Sequence, residues 1–212
     1  MTNTTKDTKK STQELSKKVS ISRRTRTQST KEWRSVELSV EIPQDVEVKC
    51  ESSNVTVSKA DTSITRNFRY PGILFRVEEN NVIISTNKFS KSLKTMMGTF
   101  RAHIKNMILG VSEGFEYNLK VVYSKFPMTV EKKENVLYVK NLLGEKVPRI
   151  VKIPQEVKVE VKGEDITVTG IDKEMCGKVA ALIEQSTRIT HMDRRVIQDG
   201  IYITHKPHRA YI

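Results

Sequence analysis

Two cysteines in 212 residues are too few for a disulfide framework. Cys50 and Cys176 each fall inside an apolar-periodic segment, so both are expected to be small buried hydrophobes in a reducing compartment. No window approaches the roughly 18 apolar residues of a membrane helix, and the N-terminus lacks an apolar segment of the signal-peptide kind. The expectation is a soluble chain that is not secreted by that route. No Gly-rich phosphate loop follows a strand, and no Ser, Cys or His stands in a recognisable nucleophile setting. His205 and His208 lie three apart, but no Cys or carboxylate is close enough in sequence to complete a metal-ligand set. Asp193 and Asp199 are the one conceivable acid/base pair; salt bridging to Arg194 and Arg195 and turn formation explain them more simply. The expectations are therefore no enzyme, no cofactor, no metal, no membrane and no small-molecule substrate.

Acid is also in short supply. There are 25 Asp and Glu against 37 Lys and Arg, a net charge of +12, which favours a polyanionic partner such as nucleic acid or an acidic membrane surface. Residues 1–35 alone hold ten bases, three acids and fourteen Ser or Thr, and so carry +7. A segment of that composition cannot bury enough apolar surface to offset its ordering entropy, so by itself it is expected to be disordered. Lys17, Lys18, Arg23, Arg24 and Arg26 form its densest charge cluster, suited to ordering on a phosphate backbone. Arg23, Arg24 and Arg26 are RNA-contact candidates on charge alone. A basic, Ser-rich targeting presequence is the competing reading, opposed by Asp7, Glu14 and the lack of an amphipathic arginine stripe.

What the chain does have is a repeat. Val40 to Ser58, VEIPQDVEVKCESSNVTVS, returns 111 positions later as VKIPQEVKVEVKGEDITVT, Val151 to Thr169, with eight of nineteen positions identical. Proline followed by period-two apolar residues reads as a half-buried strand. The Ser-Ser-Asn and Gly-Glu-Asp breaks read as hairpin turns. Two related domains in tandem, each opening with a hairpin, are expected.

Short runs at Ile64–Tyr70, Leu74–Val77 and Val82–Ser85 predict further strands. Leu93, Met96, Met97, Phe100, Ile104, Met107, Ile108 and Val111 recur at helical spacing and predict a helix over 90–109, with Gly110 or Gly114 to end it. Phe115 to Ser124 alternates as a strand with one apolar face. Two more short runs, 128–130 and 136–139, flank a Glu-Lys-Lys-Glu-Asn turn. Asp172 is a suitable N-cap for a second helix through Met175, Val179, Leu182 and Ile183, ending near Ser186. Asp199-Gly200 argues for a tight turn into a final strand. The fold class is α+β: two duplicated domains, each a small, mostly antiparallel sheet packed against a helix. The expected limits are a basic extension at 1–32, domains at 33–140 and 141–206, and a C-terminal tail at 207–212.

FRAHIKNMILGVSEGFEYNLKVVYSKFPM (Phe100 to Met128), KNLLGEKVPR (Lys140 to Arg149), TGIDKEMCGKVAALIEQST (Thr169 to Thr187) and RRVIQDGIYI (Arg194 to Ile203) resemble one known family. It is the large-subunit ribosomal protein called protein six in bacteria and archaea and protein nine in eukaryotes. The forms at Ser124–Pro127 and Leu143–Lys146 resemble its archaeal and eukaryotic branch. The resemblance covers about Val36 to Lys206. It departs at Met192, where a base is usual, at Ile197, where Phe is usual, and at the rebuilt turn 58–62. It implies a structural, RNA-binding constituent of the large subunit, with the second domain near the sarcin-ricin region of the ribosomal RNA. It also implies neighbouring large-subunit proteins, translational GTPases docking nearby, and a cytosolic ribosome, nucleolar during assembly if the source is eukaryotic. By family match, the RNA-contact candidates are Lys146, Arg149, Lys173, Lys178, Arg188, His191, Arg194, Arg195 and Lys206.

Overall fold

The computed structural model describes residues 36–60, 62–87, 90–190, 192–193 and 195–207. The basic extension and the last five residues, with the expectations attached to them, lie outside the described residues. The chain opens with strands β1 (Val36–Glu41), β2 (Glu47–Glu51) and β3 (Asn54–Lys59), then β4 (Thr62–Asn67), β5 (Leu74–Glu78) and β6 (Asn81–Thr86), and then helix α1 (Lys91–Ser112). There follow β7 (Phe115–Val122), β8 (Thr129–Lys133) and β9 (Val136–Lys140), then β10 (Arg149–Lys152), β11 (Val157–Lys162) and β12 (Asp165–Gly170), helix α2 (Lys173–Ser186) and β13 (Gly200–His205). The sheets run β1-β6-β5, β2-β3-β4, β10-β9-β8 and β11-β12-β7-β13. Every pairing is antiparallel.

The repeat in sequence is a repeat of hydrogen bonds. Ile42 N–H donates to the Asn80 carbonyl at 2.7 Å, and Ile153, 111 positions on, donates to Asn135 at 2.7 Å. Val46 N–H closes on the Pro43 carbonyl at 3.1 Å, as Val157 does on Pro154 at 3.3 Å. Proline has no N–H, so it leaves the ladder there while its carbonyl still serves the turn. Phe68 N–H donates to Ser53 at 2.7 Å, and Val121 N–H donates to Glu164 at 2.8 Å. In the proline turn both partners move by 111 positions between copies, but in the other two bonds only one partner does. The other moves by only 53 (Phe68 to Val121) or 55 (Asn80 to Asn135). The strand triplets have therefore exchanged places: β4-β5-β6 follows β1-β2-β3 in the first copy, whereas its counterpart β7-β8-β9 precedes β10-β11-β12 in the second.

That exchange moves the domain boundary. The expected first domain extended to 140, but β7 pairs with β12 and β13, and β9 pairs with β10. The two cores divide accordingly. One runs from Val40 to Val111, and the other from Tyr117 to Ile201. The break falls at Gly114, whose φ of +76° suits glycine. Its N–H bonds the Gly110 carbonyl at 3.0 Å and closes α1, which extends three residues past the expected end.

Each core is built alike. Val55 and Val57 of β3 are fully buried against α1, as Ile166 and Val168 of β12 are against α2. Met97, Phe100, Ile104 and Ile108 form the buried stripe of α1; Cys176, Val179, Ala180 and Ile183 form that of α2. Burial pushes the Cys176 thiol up to about 11, so it packs as an inert hydrophobe. Cys50 is only half-buried.

The two copies meet where α1 ends and α2 begins. Gly110 approaches the Ile171 carbonyl so closely that a Cβ would stand 2.0 Å from its oxygen. Beside this contact, Arg66 of β4 reaches across to Glu174 of α2 with two bonds of 2.9 and 2.5 Å. His103 Nδ1 lies 3.0 Å from the same carboxylate and 3.4 Å from the Arg66 guanidinium. Nδ1 cannot donate to one and accept from the other, and the shorter distance to the carboxylate assigns it the proton. The ring stacks on Phe68, and burial followed by Arg66 lowers the His103 pKa, so the ring is neutral.

Candidate nucleic-acid interface

Of the candidate residues, Arg149, Arg188 and Arg195, with Lys146 beside them in sequence, lie around the C-terminal end of α2 and the loop that follows it. Asp172 caps the start of the helix by accepting from Glu174 N–H at 2.9 Å. At the far end Thr187 is buried; its hydroxyl donates to the Glu184 carbonyl and accepts from Ile201 N–H, both at 3.0 Å. The loop after it is fixed at two further points. Asp193 accepts from Arg195 N–H at 2.9 Å, and its carbonyl takes Val196 and Ile197 N–H. Asp199 is 3% exposed, and its Oδ1 accepts from the Ser124 N–H at 3.0 Å and the Ser124 hydroxyl at 2.8 Å.

Two expectations change here. Asp199 is no surface turn former: burial and the Ser124 bonds make it a strut between the loop and the end of β7. The Asp193 carbonyl, not Asp199, receives the turn-closing N–H groups of Val196 and Ile197, and Asp199-Gly200 leads directly into β13. Arg149 also differs from a free phosphate contact. Its Nη1 donates to the carbonyls of Ser186 at 2.7 Å and Arg188 at 3.0 Å, while Nε and Nη2 grip Glu145 at 2.9 and 2.6 Å. Four of the five guanidinium donors are thereby occupied, and Arg149 closes the end of α2, where unpaired carbonyls need partners. In return it holds the Glu145 carboxyl below its ordinary range.

Lys146, Lys178, Arg188, Arg195 and Lys206 are exposed, and none forms an ion pair among the described residues. Lys146 adjoins the Glu145 that holds Arg149, and Arg188 adjoins the helix end that Arg149 closes, so these two are brought together. Lys173 is not part of that group. It stands at the other end of α2, about 20 Å away along a 14-residue helix, with its Nζ 5.5 Å above the Phe115 ring. Lys178 is five residues further along and so projects from a different side of the helix than Lys173. His191 and Arg194, with Arg23, Arg24 and Arg26, lie outside the described residues.

Sequence reasoning missed the supports: Glu145, Thr187, Ser124 and the role of Asp199. The four-residue spacing of Glu145 and Arg149 was the one available signal, and it is ambiguous outside a helix. Around the bases, Val147, Ile150, Met192 and Val196 stand exposed, Val196 by 81% and Val147 by 76%. The cavity beneath the loop holds only about 10 Å³, far below what a small ligand needs. Exposed bases and apolar side chains on a pinned, shallow surface suit a macromolecular partner. Among the described residues no group of three His, Cys, Asp or Glu could hold a metal ion, and no helix is long and apolar enough to cross a membrane.

The chain matches the family model described as ribosomal protein L6 in two stretches, residues 42–114 and 126–200. It is 46% identical over 167 residues to the large ribosomal subunit protein uL6 of Methanobrevibacter smithii, covering 79% of this chain and 94% of that protein. With uL6 of Haloarcula marismortui it shares 43% over 171 residues, 81% of this chain and 96% of the relative. Desulfurococcus amylolyticus uL6 is 46% identical over 170 residues, covering 79% and 92%.

Proposed function

This chain belongs to the ribosomal protein L6 family, and on that premise we propose that it binds ribosomal RNA through the surface around the 187–199 loop. The family is structural and not enzymatic, and the chain is a constituent of the large ribosomal subunit, carried with it in the cytoplasm. The finer reading puts the second repeat against the base of the sarcin-ricin region, near where translational GTPases dock, as the resemblance implies. Its neighbours are other large-subunit proteins.

One observation carries the RNA reading. Lys146, Arg188 and Arg195 stand exposed, without ion pairs among the described residues, on or beside a loop held by Thr187, Asp193 and Asp199, while Lys206 follows the far end of β13. Cations on a pre-ordered frame can neutralise phosphates that RNA folding brings close, fixing geometry more than reading sequence. His191 and Arg194 extend the same loop in sequence and are proposed to act with them. Arg149 is proposed to shape the surface, not to touch phosphate. Arg23, Arg24 and Arg26 are proposed as further backbone contacts.

The test replaces Arg194 and Arg195 together by Glu in a tagged chain, followed by sucrose-gradient fractionation before and after a high-salt wash. The variant is expected to remain at the top of the gradient or to leave in the wash, whereas the parent chain travels with the large subunit. Full incorporation of the variant would remove the loop from the set of RNA contacts.

A further inference from the structure

The first repeat carries a cleft for which the RNA reading has no use. It lies between β1 and α1 and has a volume of about 340 Å³. Arg101 and Lys105, one helical turn apart, both line it. Neither forms an ion pair among the described residues, and the Arg101 Nε is buried with no acceptor there. A buried guanidinium N–H without an acceptor costs more than an ordinary hydrogen bond contributes, so the site calls for an acceptor from outside. Ile108, Leu109 and Pro43 give the cleft an apolar wall, and Ser39 and Glu41 of β1 form its other rim. Among the described residues β1 pairs only with β6, so no described strand occupies its second edge.

We propose that this cleft receives an extended acidic segment of a neighbouring protein. A carboxylate enters between Arg101 and Lys105, an apolar side chain lies on Ile108 and Leu109, and the peptide backbone follows the open edge of β1. The chemistry favours a peptide over RNA on three counts. Glu41 offers only acceptors, which phosphate oxygens cannot satisfy but a peptide N–H can. The apolar wall finds no counterpart in a phosphate–ribose backbone. An open strand edge presents the backbone donors and acceptors that an added strand satisfies. The proposal concerns the other repeat and does not rest on the RNA reading.

The test is amide-resolved NMR of the full chain titrated with a capped pentapeptide alternating Val and Glu, with its Gln analogue, and with a short RNA duplex. Saturable shifts are expected at Ser39, Glu41, Arg101 and Lys105 with the acidic peptide. Binding should weaken about tenfold or more, roughly the loss of one charge-assisted bond, for the Gln analogue and for Arg101→Gln. Lys105→Gln removes a charge without touching the buried Nε; it should weaken binding severalfold, and it decides the matter if Arg101→Gln perturbs the fold. Equal affinity for the two peptides overturns the proposal. So do shifts confined to residues 1–35 or the 187–199 loop, or a duplex that moves the cleft amides at lower concentration than the peptide.

Discussion

Gly98 and Gly110 lie on the same helix, and the same substitution to Ala should move stability in opposite directions at the two sites. At Gly98 a Cβ meets nothing within 4 Å, so the expected gain is the helix-propensity difference, about 1 kcal/mol. At Gly110 the Cβ would lie 2.0 Å from the Ile171 oxygen, 2.9 Å from Phe115 Cε2 and 3.2 Å from the Ile171 carbonyl carbon. A relaxed carbon–oxygen contact is about 3.3 Å, so the linker into α2 must retreat by roughly 1 Å. The obstacle is backbone, not a side-chain tip, and Ile171 packs on the first core, so retreat strains both repeats. Overpacking of this kind costs typically about 1–3 kcal/mol and occasionally more; near the upper end, less the propensity gain, the net loss is about 2 kcal/mol. For a chain of this size each kcal/mol shifts Tm by about 2–4 °C. Gly98→Ala should melt about 2–4 °C above the parent chain, and Gly110→Ala about 4–8 °C below it, by circular dichroism on the full chain. A Gly110→Ala variant as stable as the parent would show that the two repeats are not in close register at this point.

The remaining expectations concern the polar supports. Asp199→Ala leaves the Ser124 N–H and hydroxyl without their acceptor and should cost about 2–3 kcal/mol in urea unfolding, while Asp199→Asn, which keeps Oδ1, should cost less; equal losses would argue against the strut. Arg149→Met should cost about 1–2 kcal/mol and speed amide exchange at Thr187 and Arg188, and Arg149→Lys should not rescue it, because an ammonium cannot reproduce the fork; full rescue by Lys would mean that charge alone matters. His103, whose pKa burial and Arg66 lower from an ordinary 6.5, faces Arg66, Glu174 and Asp172. The unfolded chain therefore takes up the proton first: this contribution to stability is full above about pH 6.5 and is lost as pH falls through the lowered folded value. The Glu174 carboxyl, held down first by its bonds from Arg66, keeps its contribution until below its ordinary 4.5. Urea midpoints between about pH 5 and 8 should fall toward acid in the parent chain and flatten in His103→Gln; an unchanged slope in that variant would assign the effect to another group.

Much of the architecture was legible because it rests on local period. The alternation in 115–124 and the 3.6-residue stripe of 93–111 need no tertiary knowledge, and both elements formed where the pattern put them. The IPQ repeat went further, since equal side chains at equal spacing, Val55 and Val57 against Ile166 and Val168, demand equal burial. The boundary at 140 failed for a different reason. Linear alignment finds segments that keep their order, and the two strand triplets have exchanged theirs, so the counterpart of β4-β5-β6 stands before the second IPQ entry and not after it. A search for similarity at a spacing of 53–55 as well as 111 would have been needed to see it.

The candidate site divides along the same line between what is local and what is not. Charge and exposure are largely local properties, which is why Lys146, Arg188, Arg195 and Lys206 proved to be exposed bases without ion pairs among the described residues. Whether a base is free is decided by residues remote in sequence. Arg149 looks like Arg188 in the chain, but the carbonyls it holds lie 37 and 39 positions away. Asp199 looks like Asp193 until Ser124, 75 positions earlier, takes its oxygen. The difference between these pairs is burial of a polar group. A buried carboxylate or carbonyl must find its partner inside the fold, while an exposed base leaves its own to the surface it will meet. Reading a basic surface therefore means first setting apart the cations the fold has already claimed, and at this loop Arg149 is one of them, its donors held by Glu145 and the carbonyls of Ser186 and Arg188.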